Sequence, residues 1–369
     1  MIYLTDYRLI CSETAELLEG ILYPQRVHRV ADTWKGCKLG VAYVPHRLAD
    51  KVLDPELLKT LRDREAKTAF ILAAGNTQFA GACSNLDPQN ELDYEYKMLP
   101  LSLNQVYAGR IAQMCGANDL VITDASACAS SLKVMNDVMY LIDYKGFDRI
   151  IVLGVEDTIN KKVLQFFGES KACNTQEVDF TGKKPSAFDK VNGGFYVGQG
   201  AVFAVFESGR IAKSAHARLL GAGMASEVST NAIGQREDGQ GFVNAAAQAF
   251  RNAQLNPIDI GVVKTHGTGT ESNNKAEKNA LFRMFDTPFQ ATSYKQRIGH
   301  TMGASGLLET CLMIDDLKRG LIKEIPNRTV VDEFFLSRAN THARKEQKIL
   351  SLAAGMGNIY AAAIFDTSV

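Results

Sequence analysis

The chain has 369 residues, 46% of them hydrophobic, and 41 lysines and arginines offset 41 aspartates and glutamates to a formal net charge of +0. That length holds one large domain or two ordinary ones around a sizeable core. The charge balance lacks the basic footprint of a nucleic-acid binder, and no run of about 18 apolar residues is present to cross a membrane.

The opening MIYLTDYRLICSE has no basic start followed by a long apolar stretch, so it does not read as a secretion signal. Seven cysteines are scattered without a CxxC pair. That pattern predicts reduced thiols, a cytoplasmic location and no metal site. SSLKVMNDVMYLIDYKG (130–146) predicts a helix, because Leu132, Met135, Val138, Met139 and Ile142 recur at helical spacing and Gly146 stops it. FDRIIVLGVED (147–157), AVFAVFE (201–207) and ARLLGAGMA (217–225) read as strands. VNAAAQAFRNAQL (243–255) is helical by propensity. IGVVKT (260–265) is a further strand, followed by a helix that opens on asparagines suited to capping. GASGLLETCLMIDDLKRG (303–320) predicts a helix with one apolar face, ending at Gly320, and KILSLAA (348–354) predicts a last strand. Near-continuous apolar strands between helices predict an α/β fold with sheets covered on both faces. The approximate halves 1–210 and 211–369 each pair strands and helices with a small-residue turn.

Three turns carry candidate chemistry. In ITDASACASSL (122–132), Cys128 lies among alanines and serines just before a helix. The positive end of a helix favours thiolate, and small neighbours admit a ligand. The plainer reading is a small buried cysteine. In THGTGT (265–270), His266 follows a strand, and Gly267 lets a ligand approach the backbone. A phosphate loop would place a lysine and a helix in a different arrangement, and a turn histidine bound to backbone is the plainer alternative. In SYKQRIGHTMGASG (293–306), His300 again stands in a glycine-containing turn that opens a helix, five residues after Lys295. The chain has six histidines. His28, His46, His216 and His342 lack this small-residue context and read as surface or packing residues.

Together these turns resemble the active site of the β-ketoacyl-acyl-carrier-protein synthases of the Cys-His-His type. ITDASACASSL is similar to the family's nucleophile motif, VKTHGTGTESNNKAE to its first histidine motif and SYKQRIGHTMGASG to its lysine-histidine motif. SAFDKVNGGFYVGQGAVFAVFE resembles its Phe-Asp and glycine-rich segment, and SLAAGMGNIYAAAIF its C-terminal glycine turn. The five follow the family's order from about residue 95 to the end. The resemblance implies a thiolase-like fold: one unit of two similar βαβαβ halves, stacked in five αβαβα layers. It implies that Cys128 takes an acyl chain from an acyl carrier protein as a thioester, and that the imidazoles of His266 and His300 serve a decarboxylative Claisen condensation with a malonyl thioester. Lys295 is implied to orient the first histidine, and Glu277 to pair with that lysine. The backbone N–H groups of Cys128 and Met356 are implied to form an oxyanion hole. Thr268, Thr270, Phe167 and Met356 are the implied substrate-binding residues, the threonines holding the phosphopantetheine arm. That arm belongs to the carrier protein, so no cofactor of the enzyme's own is implied.

The chain departs from the family pattern at Asn274, where Asp is usual, and at Met356, where a gating Phe is usual. Asn192-Gly193 and Gln199 replace an Arg-Asp pair and a Glu, and the region before Cys128 is short. Such reduced chains fit a specialised type II polyketide or aryl-polyene-like system. The family implies a homodimer. The competing reading is a catalytically silent subunit that sets chain length in a heterodimer, although such subunits usually lack the cysteine. The basic residues Lys59, Arg62, Arg64 and Lys67 read either as an acidic-partner surface or, with Asp63 and Glu65 interleaved, as a solvated face.

Overall fold

The computed structural model describes residues 1–11, 52–62, 65–75, 103–156, 193–227, 233–325 and 343–369. It adds positions 167, 172–173 and 187–188 and the strand backbone at 27–34, 37–42 and 335–336. In chain order the first half comprises β1 (Ile2–Ile10), α1 (Pro55–Arg62), β2 (Thr68–Ala73), α2 (Asn104–Cys115), β3 (Leu120–Asp124), α3 (Ser130–Lys133), α4 (Met135–Asp143), β4 (Arg149–Glu156) and β5 (Gly200–Ser208). The second comprises β6 (Ala217–Ser226), α5 (Gln240–Ala253), β7 (Val262–Lys264), α6 (Glu271–Met284), β8 (Phe289–Thr292), α7 (Lys295–Ile298), α8 (Ser305–Lys318), β9 (Lys348–Gly355) and β10 (Ile359–Asp366).

From the middle outward the strands run β1-β5-β4-β2-β3 in one half and β6-β10-β9-β7-β8 in the other. Both are first, last, fourth, second, third in chain order. The pairing repeats too: antiparallel, antiparallel, parallel, parallel. The halves join where β1 lies antiparallel to β6, at Ile2↔Leu219, Tyr3↔Arg218 and Leu4↔Ala217.

Alternation along the strands explains the apolar runs. In β2, Ala69, Ile71 and Ala73 enter the central core, while Phe70 and Leu72 face an outer core with α1 and α2. In β4, Ile150 and Val152 point inward, and Ile151, Leu153 and Val155 outward. In β9, Ile349 and Ala353 face the centre, and Leu350 and Leu352 face a third core under α5 and α6. Successive side chains of a strand take opposite faces, so a strand covered on both sides reads as continuously apolar. Each large apolar side chain so buried contributes about 1.5–3 kcal/mol. Helices α3, α4 and α8 touch strands of both halves and form the middle of five layers.

Three expectations are corrected. The helix over 130–146 is broken at Val134 into α3 and α4. The cap of α6 is Thr270, whose hydroxyl accepts from the Asn273 N–H, and the asparagines lie inside the helix. Finally, α8 has no single apolar face, because every residue from Ser305 to Ile314 is buried. A helix apolar nearly all round belongs inside a core, and α8 lies between the two halves. Its Gly306 permits that: a Cβ there would stand 2.6 Å from the Leu132 Cβ of α3.

Candidate active site

Two equivalent turns open the two central helices. After β3, the turn Ala127–Ala129 leads into α3. In the second half, Met302–Ala304 leads into α8. Each turn begins on a non-glycine residue with positive φ, Ala127 at 47° and Met302 at 43°. Such residues are uncommon outside glycine and mark a chain held by its surroundings. Counting from them, Cys128 occupies the place that Gly303 holds in the other half. The turns meet: the Cys128 Sγ lies 3.9 Å from the Met302 Sδ. Glu156, at the end of β4, ties the Met302 turn to the chain after β2 by accepting from the N–H groups of Gly75 and Gly303 at 2.7 and 3.0 Å. A third segment closes in at Gly355, where a Cβ would lie 2.6 Å from the Ser126 oxygen and 3.3 Å from the Cys128 nitrogen. Met356 follows directly.

His266 leaves the end of β7, and its ring stands 5.6 Å from that of His300, edge to face. The backbone of His300 is fixed by its N–H to the Tyr196 oxygen at 2.7 Å and by its carbonyl, which accepts from Gly198 at 2.9 Å. Phe195 meets the His300 ring edge-on at 4.8 Å, and Phe167 meets Phe195 at 5.9 Å. Cys128, Phe167, Cys173, Phe195, Val197 and Met302 share one buried apolar cluster. The His300 Nδ1 finds no hydrogen-bond partner among the described residues.

Behind the histidines lies a buried charge network that corrects one pairing. Lys295 does not pair with Glu277: its Nζ donates to Glu309 at 2.7 Å. Lys264 donates to the other Glu309 oxygen at 3.3 Å and to the Leu352 carbonyl at 2.9 Å, and the Ser305 hydroxyl donates to Glu309 at 2.5 Å. Glu277 instead holds the His266 loop, accepting from the N–H groups of His266 at 2.5 Å and Gly267 at 2.9 Å and from the Asn273 amide at 3.0 Å. Glu309 and Lys264 were missed in the sequence. Their signal was present, a lone carboxylate inside the apolar GLLETCLMI and a lone lysine ending the apolar IGVV. Buried charges at such positions require partners.

Burial sets the protonation states. It pushes the Cys128 thiol up to about 12, against the opposing pull of Lys295. The expectation of a helix-favoured thiolate is therefore corrected: α3 has only four residues, and removal from water outweighs its dipole. His266 and His300 are held well below the usual imidazole range, first by burial and then by Lys295. Both rings are neutral, able to donate from one nitrogen each. Burial raises the Glu277 carboxyl, with its three N–H donors and Lys264 acting against it. Burial also acts to raise Glu309, but Lys295 and Lys264 outweigh it and leave the carboxyl below the ordinary range.

The remaining predicted residues fall near this centre. Thr268 is buried and its hydroxyl lies 3.0 Å from that of Thr270, which also caps α6. Asn274 uses its side-chain oxygen to accept from the Phe188 N–H at 2.9 Å, where Phe188 has a φ of 61°. Gln199 is buried, and Asn192 lies outside the described residues. In the basic cluster, Arg62 donates to the Met114 carbonyl and Lys67 to the Lys145 carbonyl at 3.0 Å, while Arg64 lies outside the described residues. His216 packs edge-on against Tyr7 at 4.8 Å. His46, His342 and the side chain of His28 lie outside the described residues. Among the described residues no group of three or more His, Cys, Asp or Glu is placed to hold a metal ion, and no helix is long and apolar enough to cross a membrane.

A doubled α/β fold whose two central helices open on matching turns is the thiolase-like architecture. The chain belongs to the beta-ketoacyl synthase family: the N-terminal domain of that family matches residues 31–212 and the C-terminal domain matches residues 216–329. The match thus begins well before residue 95, where the motif resemblance starts. Among curated relatives, the 3-oxoacyl-[acyl-carrier-protein] synthase 2 of Vibrio harveyi is 28% identical over 224 residues, 58% of this chain and 54% of that protein. A putative polyketide beta-ketoacyl synthase 1 of Streptomyces cyaneus is 26% identical over 274 residues, 70% of this chain and 63% of that one. These matches span between about half and two thirds of each relative's length. Among solved structures, a type II PKS acyl-carrier protein in complex with its ketosynthase matches with a TM-score of 0.80 at 15% identity, covering 99% of this chain and 98% of that one. A ketosynthase in complex with its chain length factor from Xenorhabdus doucetiae matches with a TM-score of 0.74 at 16% identity, covering 99% and 97%. These two likenesses show the thiolase-like ketosynthase fold.

Proposed function

We propose that the chain is a condensing enzyme that elongates an acyl chain held on Cys128 with a malonyl group carried on an acyl carrier protein. The observation that carries this reading is the meeting of Cys128 and Met302 at 3.9 Å beside two neutral imidazoles 5.6 Å apart. In the first half-reaction the Cys128 sulfur attacks the thioester carbonyl of the acyl carrier protein. Its proton passes to the departing phosphopantetheine thiol, and the new bond is the Cys128 thioester. The N–H groups of Cys128 and Met356 would hold the oxyanion of the tetrahedral intermediate. The raised thiol makes proton removal part of this step.

In the second half-reaction a malonyl thioester loses CO2, and the electron pair of the broken C–C bond becomes an enolate. His266 and His300 donate N–H groups to its oxygen. Neutral imidazoles suit this task, since a cation would also grip the malonyl carboxylate and resist its loss. The enolate carbon then attacks the Cys128 thioester carbonyl, the C–S bond breaks, and Cys128 leaves as thiolate. The product is a β-ketoacyl thioester on the carrier protein, with no cofactor of the enzyme's own. Thr268 and Thr270 would meet the amide portion of the phosphopantetheine arm. Phe167 and Met356 would border the acyl chain.

Intact mass of the chain after incubation with acyl carrier protein thioesters of graded length tests this reading. Acylation at Cys128 supports it, and an unmodified Cys128 across the panel removes it. A second reading has one observation in its favour, the fold likeness to a ketosynthase–chain length factor complex. In that reading the chain is the silent subunit of a heterodimer. Product formation by the lone chain, with sedimentation showing a homodimer, contradicts it.

A further inference from the structure

Lys264 is a buried charge behind the histidines to which neither the resemblance nor the reaction above gives a task. It ends β7 two residues before His266, and its side chain is wholly buried. It reaches across to α8, where it shares the Glu309 carboxylate with Lys295. Ammonium groups are costly to bury unless they are paired, yet one carboxylate here serves two of them. We infer that Lys264 is a positioning residue for the histidine pair, the second of two ammonium groups held on Glu309 behind His266 and His300. This inference rests on the condensing reading of the site.

The two ammonium groups give the reason. Behind the histidines stand Lys264 on β7 and Lys295 on α7, both held on Glu309 of α8, while Glu277 of α6 holds the His266 loop and Glu156 of β4 accepts from Gly303. An imidazolium formed here would stand beside two like charges in a site removed from water, which raises its cost. Both rings feel Lys264 and Lys295 as like charges. Without Lys264 one of the two like charges is gone, and the cost of an imidazolium would fall. That cation would hold the malonyl carboxylate and slow loss of CO2. Lys264 thus acts through the histidines rather than on the substrate. Burial also lowers Lys264 itself to about 8, with Glu309 opposing the fall, so its charge is retained at neutral pH and weakens above it.

The test uses the full chain and two variants, Lys264→Met and Lys264→Arg. The readouts are CO2 release from malonyl-N-acetylcysteamine across pH and the titration of 15N-labelled histidines by NMR. The inference expects the acid limb of CO2 release in Lys264→Met to move up by about one pH unit, the lower end of the shift a like charge imposes. The His266 and His300 resonances should move with it, and Lys264→Arg should keep both near wild type. A merely structural lysine would lower the rate without moving either midpoint. Should Lys264→Met fail to fold, Lys264→Gln carries no charge and keeps a donor for the Leu352 carbonyl; its histidine midpoints should rise as in Lys264→Met, and unmoved midpoints there overturn the inference. Unchanged histidine midpoints in Lys264→Met overturn it too, even where the wild type releases CO2 as proposed. If the wild type releases no CO2, the condensing reading falls, and the NMR titration still decides the electrostatic claim.

Discussion

The two halves share a strand order and a helix-opening turn, but they divide the chemistry unequally. The first half brings Cys128 on a turn whose neighbours are alanines and serines. The second half puts Gly303 at the matching place and surrounds its turn with His266, His300, Lys264, Lys295, Glu277 and Glu309. The contrast teaches that the doubled fold supplies a scaffold for two approaching helix starts and leaves each half free to specialise. In the proposed reaction one half carries the nucleophile, and the other carries the groups that receive negative charge. The positive φ of both Ala127 and Met302 shows that the strained turn belongs to the scaffold, since only one of them precedes a reactive residue.

The contrast can be broken most severely at Cys128. Replacement by alanine should abolish acylation and lower condensation by at least about 10^4-fold, the scale of losing a nucleophile, as read by product formation. Next comes the network of the second half. Glu309→Ala strips the carboxylate from two buried lysines and should cost about 3–5 kcal/mol in a denaturant melt, whereas removing the exposed pair partner Glu271 should cost well under 1 kcal/mol. The crossing of α3 and α8 follows. Gly306→Ala places a methyl 2.6 Å from Leu132 and should destabilise by about 1–3 kcal/mol, seen as a lower Tm. Thr270→Ala removes the cap of α6 and should cost about 1 kcal/mol. The smallest effect is the pH dependence of the histidine half. Because His266 and His300 are lowered in the folded chain, the unfolded chain binds their protons first as pH falls through 6.5. Stability should therefore fall on acidification from neutral pH, and the slope should shrink in a His266→Asn/His300→Asn variant.

What was legible in the sequence follows the same division. Cys128, His266 and His300 could be read because small residues around a reactive side chain leave a local trace. The strands of β4, β5, β6 and β9 could be read because burial on both faces leaves a continuous apolar run. The Lys295–Glu309 pair could not be read, since it depends on how α7 and α8 pack between residues 14 positions apart. The resemblance draws Glu277 into that pair, while its partners are the Asn273 amide and two backbone N–H groups, and backbone donors leave no signature in residue identity. The thiol of Cys128 was misjudged because a helix start is visible in sequence and the depth of burial is not. The three-residue β7 could be read because the apolar run IGVV leads into a glycine turn, while β3 (LVITD) and β8 (FQAT) carry shorter apolar runs broken by polar residues.

The central claim is that the nucleophile of the first half works for the charge-receiving groups of the second. The most direct measurement is the intact mass of the wild-type chain and of Cys128→Ala after exposure to acyl carrier protein thioesters, followed by addition of malonyl carrier protein. The account predicts one acyl adduct on the wild type, none on the variant, and loss of that adduct with formation of a β-ketoacyl product when malonyl carrier protein is added. An unmodified wild type, or an adduct that malonyl carrier protein leaves in place, would contradict it.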